Sequence, residues 1–152
     1  MKKIEGKNII VELIPNHSNS KKGYIVQLQA LKLDGLKLID RFDYRVIDEK
    51  IENQDLLNMI SYDKDKFNYV ENPINILKDF KKWSKGYNLL IIDNFYTLDY
   101  LNEFKNKESI FNYLDMSFSN DVIDKIIDKY HLEYSNHIVD LLYEALIYES
   151  KE

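Results

Sequence analysis

The run Tyr24-Ile25-Val26-Gln27-Leu28-Gln29-Ala30-Leu31-Lys32-Leu33, the pair Asp34-Gly35 and the run Lys37-Leu38-Ile39-Asp40-Arg41-Phe42-Asp43-Tyr44-Arg45-Val46 together decide the fold. Asp-Gly between two strand-like runs is a hairpin signal, because both residues tolerate the positive φ of a tight turn. In the second run Leu38, Asp40, Phe42, Tyr44 and Val46 alternate with Lys37, Ile39, Arg41, Asp43 and Arg45, a period of two with one mostly buried face. Upstream, Asn8–Ile14 is a short apolar run of strand type, halted by Pro15 and followed by a polar loop from Asn16 to Gly23. Three strands joined by short connections make an antiparallel meander.

Downstream the period changes. Asn53 caps a short helix through Ile60, and Asn72-Pro73 opens a longer one through Lys85. Ile76, Leu77, Phe80 and Trp83 form that helix's apolar stripe, Lys81, Lys82 and Lys85 suit its C-terminal dipole, and Gly86 ends it. Leu89–Ile92 then reads as a buried strand, Tyr96–Phe104 as a helix, Ile110–Leu114 as a strand and Asp121–Tyr130 as a helix. A final helix carries Ile138, Leu141, Leu142 and Ala145 at helical spacing. A meander followed by alternating helices and strands predicts an α/β fold, a mixed five-stranded sheet flanked by helices, in one domain over 1–152.

Composition narrows the function classes. The chain has no cysteine, which excludes disulfides and thiolate metal sites and fits the cytoplasm. Its N-terminal residues lack a signal-peptide core, and no apolar run approaches the roughly 20 residues of a membrane span. A formal net charge of −5 argues against an obligate, tight binder of duplex DNA. With only four glycines there is no glycine-rich phosphate loop, and no Gly-x-Ser-x-Gly is present. His17 and His131 show no metal-ligand spacing with His137 or each other, so no zinc site is expected. The lysines between Lys78 and Lys85 read first as a solvated helix end and second as a nucleic-acid patch.

Against this background the chain resembles the DEDD exonuclease superfamily, in its histidine-containing, proofreading-subunit-like branch with an RNase H-like fold. Tyr24–Leu31 is similar to that family's second strand and Arg41–Val46 to its third. Helix Asn72–Lys85, strand Leu89–Ile92 and Asp93-Asn94 resemble a helix–strand–His-Asn passage. Asp128-Lys129-Tyr130-His131-Leu132 with Asn136-His137 resembles the approach to a terminal His-x4-Asp motif.

The resemblance implies a mechanism in which two divalent ions stabilise the attacking and leaving oxygens of phosphodiester cleavage, held by four carboxylates and served by a histidine. Hard cations of this kind, magnesium or manganese, take oxygen ligands. Carried onto this sequence, the Asp-x-Glu pair becomes Glu12 and Ile14, and one oxygen donor is lost to an aliphatic chain. The third carboxylate falls on Leu98, or on Asp99 with a one-residue adjustment. His137 matches the catalytic histidine, but the residue five positions on is Leu142, and Asp140 stands about 200° around the helix from it. Glu12 and His137 are therefore candidate catalytic remnants, Asp99 and Asp140 are metal ligands only in a rebuilt site, and Tyr96 and Tyr100 are possible nucleic-acid contacts.

Two readings follow. The first is a non-catalytic, exonuclease-like binding or accessory module with no cofactor. A protein partner suits its acidic charge best, and single-stranded nucleic acid could be held in the old groove through stacking tyrosines. The second is an active magnesium- or manganese-dependent 3′–5′ exonuclease whose rebuilt site uses Glu12, Asp99, Asp140 and His137.

Overall fold

The computed structural model describes residues 2–47, 67–135 and 137–151. The helix expected over Asn53–Ile60, and Asn136 of the expected terminal motif, lie outside the described residues.

Strands β1 (Lys7–Pro15), β2 (Ile25–Asp34) and β3 (Lys37–Val46) form the antiparallel meander, in register Glu12↔Gln29↔Asp43 and Ile14↔Gln27↔Arg45. Gly35, at φ 59°, turns β2 into β3 in the left-handed region that glycine enters without steric cost. Three further strands pair in parallel: β4 (Asn68–Val70) on β3, β5 (Asn88–Ile91) on β1, and β6 (Lys107–Ser109) on β5. Among the described residues the sheet has six strands, in the order β4-β3-β2-β1-β5-β6.

Two strand expectations are corrected. The sixth strand, β4, is only three residues long, too short for any periodicity to show. The run Ile110–Leu114 opens as a 3-10 turn, Ile110–Asn112, rather than a strand. Ile110, Phe111, Tyr113 and Leu114 are all buried, consecutive as well as alternate residues, which a strand with one solvent face would not give. The strand beside β5 is instead the polar segment just before it.

Helices cover both faces. Against one lies α1 (Ile74–Trp83), whose Ile76 and Phe80 meet Ile9, Val11, Leu28 and Phe42. The Asn72 carboxamide oxygen accepts from the Ile74 amide at 3.0 Å and Pro73 has helical φ −62° and ψ −23°, so Asn72 caps the helix and Pro73 opens it as the sequence suggests. Next comes α2 (Phe95–Tyr100), shorter than expected. On the opposite face α3 (Val122–Tyr130) and α4 (Ile138–Ser150) pack together over Ile10, Leu31, Leu33 and Leu90. The two helices are also pinned at Glu149, which accepts from Lys129 Nζ at 2.9 Å and from the Tyr130 hydroxyl. No helix among the described residues is long and apolar enough to cross a membrane.

One local device sets the chain's direction after β5. Asn94, in extended conformation, caps α2 by accepting from the Thr97 amide at 2.8 Å. Asn94→Ala removes that acceptor and should cost about 1 kcal/mol. In a chain of this size that is a fall of about 2–4 °C in thermal midpoint, measurable by calorimetry; an unchanged midpoint would show that the cap contributes nothing.

Candidate functional site

On β1 the side chains of Glu12 and Ile14 point to the same face, the one covered by α3 and α4, because alternate residues of a strand share a face. The register sets Gln29 and then Asp43 beside Glu12, and Gln27 and then Arg45 beside Ile14, each about 4.8 Å from the next across the strands. All four of these neighbours are buried and polar. A row of this kind is costly unless its members bond to one another.

They do so through β3 and the start of α4. Gln29 Nε2 donates to Asp43 Oδ1 at 2.9 Å and lies 3.1 Å from His137 Nδ1. Arg41 Nε donates to Asp43 Oδ2 at 3.2 Å, and its Nη1 and Nη2 donate to Asp140 Oδ1 and Oδ2 at 2.9 and 3.2 Å. Arg45 Nη1 faces Gln27 Oε1 at 3.5 Å. The Phe67 ring, 6.1 Å from the His137 ring, closes this side. Burial works against the Arg41 charge, but Asp140 and Asp43 outweigh it and its pKa is raised. The fork geometry of a guanidinium suits Asp140 in a way no lysine could match.

Glu12 differs from the rest. It is buried, and neither of its carboxylate oxygens has a hydrogen-bond partner among the described residues. Burial pushes its pKa up to about 8, so the side chain is a neutral acid at neutral pH. Its neighbour is Tyr96, whose pKa is pushed up to about 12 by burial first and by the Glu12 charge second.

The remaining candidates lie elsewhere or are packed away. Asp99 accepts from the Ser20 amide at 2.7 Å, and that bond holds its pKa below the usual carboxylate value. It braces the 16–23 loop rather than meeting His137 or Asp140 in the network. The alternative position, Leu98, is exposed. Ile14 and Leu142 are fully buried; Leu142 sits in the core beneath α3 and α4. Tyr100, expected to be an exposed ring, is buried, and its hydroxyl donates to the His17 carbonyl at 2.7 Å. A side chain at Gly23 would strike that hydroxyl and Asn16, so the loop closes tightly over the ring. Tyr96 is half-buried, and the ring that α2 presents to solvent is Phe95.

The structure thus gathers Glu12, His137 and Asp140 around Gln29, Asp43 and Arg41, and sets Asp99 apart. No group of three or more His, Asp or Glu side chains placed to hold a metal ion occurs among the described residues. The donor set does not fit a pair of hard cations. Two of the positions that the resemblance would assign to metal ligands, Ile14 and Leu142, are hydrocarbon, Glu12 is neutral, and both oxygens of Asp140 are engaged by a guanidinium whose fixed charge repels a cation. Gln27, Gln29, Arg41, Asp43 and Arg45 are the site residues that the sequence reading did not single out. Their signal was present: glutamines at alternate positions of an otherwise apolar strand, and a charged triplet at alternate positions of the next.

No family model matches this chain, and no curated protein matches it. Solved structures do. The chain is similar to one described as the ExoI/SSB-Ct complex, with a TM-score of 0.59 at 11% identity, covering 97% of this chain and 41% of that one. It is also similar to product-bound exonuclease I, with a TM-score of 0.58 at 10% identity, covering 97% of this chain and 43% of that one. The chain therefore spans less than half the length of these neighbours. The likeness is one of fold: a mixed six-stranded sheet flanked by helices, as in exonuclease I.

Proposed function

We propose that this chain is an exonuclease-like domain without metal-dependent nuclease activity, acting as a binding module in nucleic-acid-related machinery. The observation that carries the reading is the Arg41 guanidinium, bidentate on Asp140 and bonded to Asp43, on the face where Ile14 and Leu142 supply no oxygen. A guanidinium sets a permanent positive charge beside these carboxylates, yet unlike a divalent ion it cannot coordinate a water and lower its pKa. Two-metal cleavage needs charge stabilisation at both the entering and the leaving oxygen. Losing about 4 kcal/mol of it slows a reaction roughly a thousandfold.

A protein is the favoured partner, since the chain carries −5 overall and one similar structure is itself a complex, ExoI/SSB-Ct. The competing reading, a nuclease with a rebuilt and ligand-poor site, draws on the shared location of Glu12, His137 and Asp140. It requires Arg41 to release Asp140 and Glu12 to ionise.

The test is trimming of labelled single-stranded DNA and RNA in magnesium and in manganese, by wild type beside His137→Ala. Both proteins should match buffer alone, and a manganese titration by calorimetry should give no tight isotherm. Trimming by wild type that His137→Ala abolishes would make the protein an enzyme, and a stoichiometric isotherm that Glu12→Ala removes would favour the rebuilt-site reading.

A further inference from the structure

The end of the sheet where β1 begins collects lysines from separate parts of the chain. Lys7 starts β1, five residues and about 17 Å along the strand from Glu12. Its Nζ lies 5.8 Å from the centre of the Tyr87 ring, and the Lys32 Nζ from β2 lies 4.8 Å from the same ring and 4.3 Å from that of Trp83. Lys81, Lys85 and Lys105 border a hollow of about 270 Å³ that Tyr87 also lines, in which Glu103 is the one acidic residue. At its rim Lys107 Nζ donates to the Phe104 carbonyl at 2.6 Å. Lys82 stands with Lys81 in the last turn of α1, and Lys85 follows just beyond the helix end.

Helix-dipole compensation accounts for Lys81, Lys82 and Lys85 at the end of α1. It does not account for Lys7, Lys32, Lys105 or Lys107, which come from strands and their approaches. Glu103 is paired with Lys81. Lys82, Lys85 and Lys105 are exposed and have no ion pair among the described residues. So many ammonium groups on one end of a chain with net charge −5 make a polarised surface that gains from an added polyanion.

We propose that this lysine-rich end binds the phosphate backbone of single-stranded nucleic acid without base specificity. Lys32, Lys81 and Lys107 are held by the Trp83 carbonyl, Glu103 and the Phe104 carbonyl, while Lys82, Lys85 and Lys105 are exposed point charges on flexible stems and so suit a flexible row of phosphates. The patch contains no arginine fork to orient a single carboxylate. The hollow is lined mainly by polar residues and offers no apolar pocket for peptide side chains. The surface is separate from the Glu12 region, so the proposal stands whether or not the fold retains catalysis.

Fluorescence anisotropy with labelled oligothymidylate, in chelator and at low salt, tests it. Wild type should bind, with an affinity that falls as salt rises by about −0.7 in log–log slope for each phosphate neutralised. The double variant Lys85→Glu/Lys105→Glu should bind at least about tenfold more weakly and flatten that slope by roughly 1.4, one increment per lost contact. Lys125→Glu, on α3 and paired with Asp121, should bind as wild type does. If the charge reversals disturb the thermal midpoint, Lys85→Gln/Lys105→Gln should still show the weaker affinity and flatter slope. No binding by wild type, an equal loss in Lys125→Glu, or tighter binding of polyglutamate to the same lysines would overturn the proposal, the last by assigning the surface to an acidic protein.

Discussion

Leu142→Asp, which places an acid where the resemblance to the exonucleases calls for one, should unfold the protein rather than create a metal ligand. Leu142 is fully buried in the core formed by α3, α4 and the sheet. Removing its side chain alone costs about 2–5 kcal/mol. Placing a carboxylate there without a partner adds several more, whether the group stays charged or takes up a proton. The sum rivals the roughly 5–15 kcal/mol that separates most native domains from their unfolded states. Loss of the cooperative thermal transition, with no gain of nuclease activity, is the expected result. A folded variant with a near-normal midpoint would show that α4 can turn that position toward the site, and would revive the rebuilt-site reading.

The second large effect is a pH dependence written into Glu12. Its pKa rises from 4.5 to about 8 on folding because the carboxyl is buried. Between those values the native state holds a proton that the unfolded chain has released. Stability therefore falls as pH rises from about 4.5 to about 8 and levels off above that. At 1.36 kcal/mol per pKa unit, the loss is about 5 kcal/mol. Glu12→Gln keeps the shape, cannot ionise, and should erase this slope. Denaturant midpoints should agree between the two proteins near pH 4.5 and favour the variant by that margin near pH 8. Parallel curves across the range would mean that water or a bonding partner reaches Glu12 after all.

Much of the fold could be read before any coordinates, because its long elements repeat their apolar residues. The meander, the strand beginning at Leu89 and the helices around Phe80, Ile126 and Leu142 all carry a clear period. What escaped was short or irregular. Strands Asn68–Val70 and Lys107–Ser109 have three residues each and draw their identity from the strands they pair with. Ile110–Leu114 looked like a strand because it is mostly apolar, yet it opens as a turn whose Ile110, Phe111, Tyr113 and Leu114 are buried while Asn112 is exposed. At the site, the aliphatic residues Ile14 and Leu142 can be read directly in the sequence. The network of Gln29, Asp43, Arg41 and Asp140 cannot, because it depends on which residues of three strands lie opposite one another and where α4 begins.

The short outer strands have a consequence for how the molecule meets others. An edge strand with free amides and carbonyls is a template on which a foreign strand can grow. Here each flank of the sheet ends in a strand of only three residues. Among the described strands, β4 pairs with β3 only from Tyr44 to Val46 and leaves its first half uncovered. That half carries Lys37, Asp40 and Arg41 among its apolar residues. Asp40 accepts from Trp83 Nε1 at 2.9 Å, and Arg41 is fastened to Asp140. Polymerisation of the sheet, copy upon copy, is thereby discouraged at both borders, and recognition is left to side chains rather than to exposed backbone.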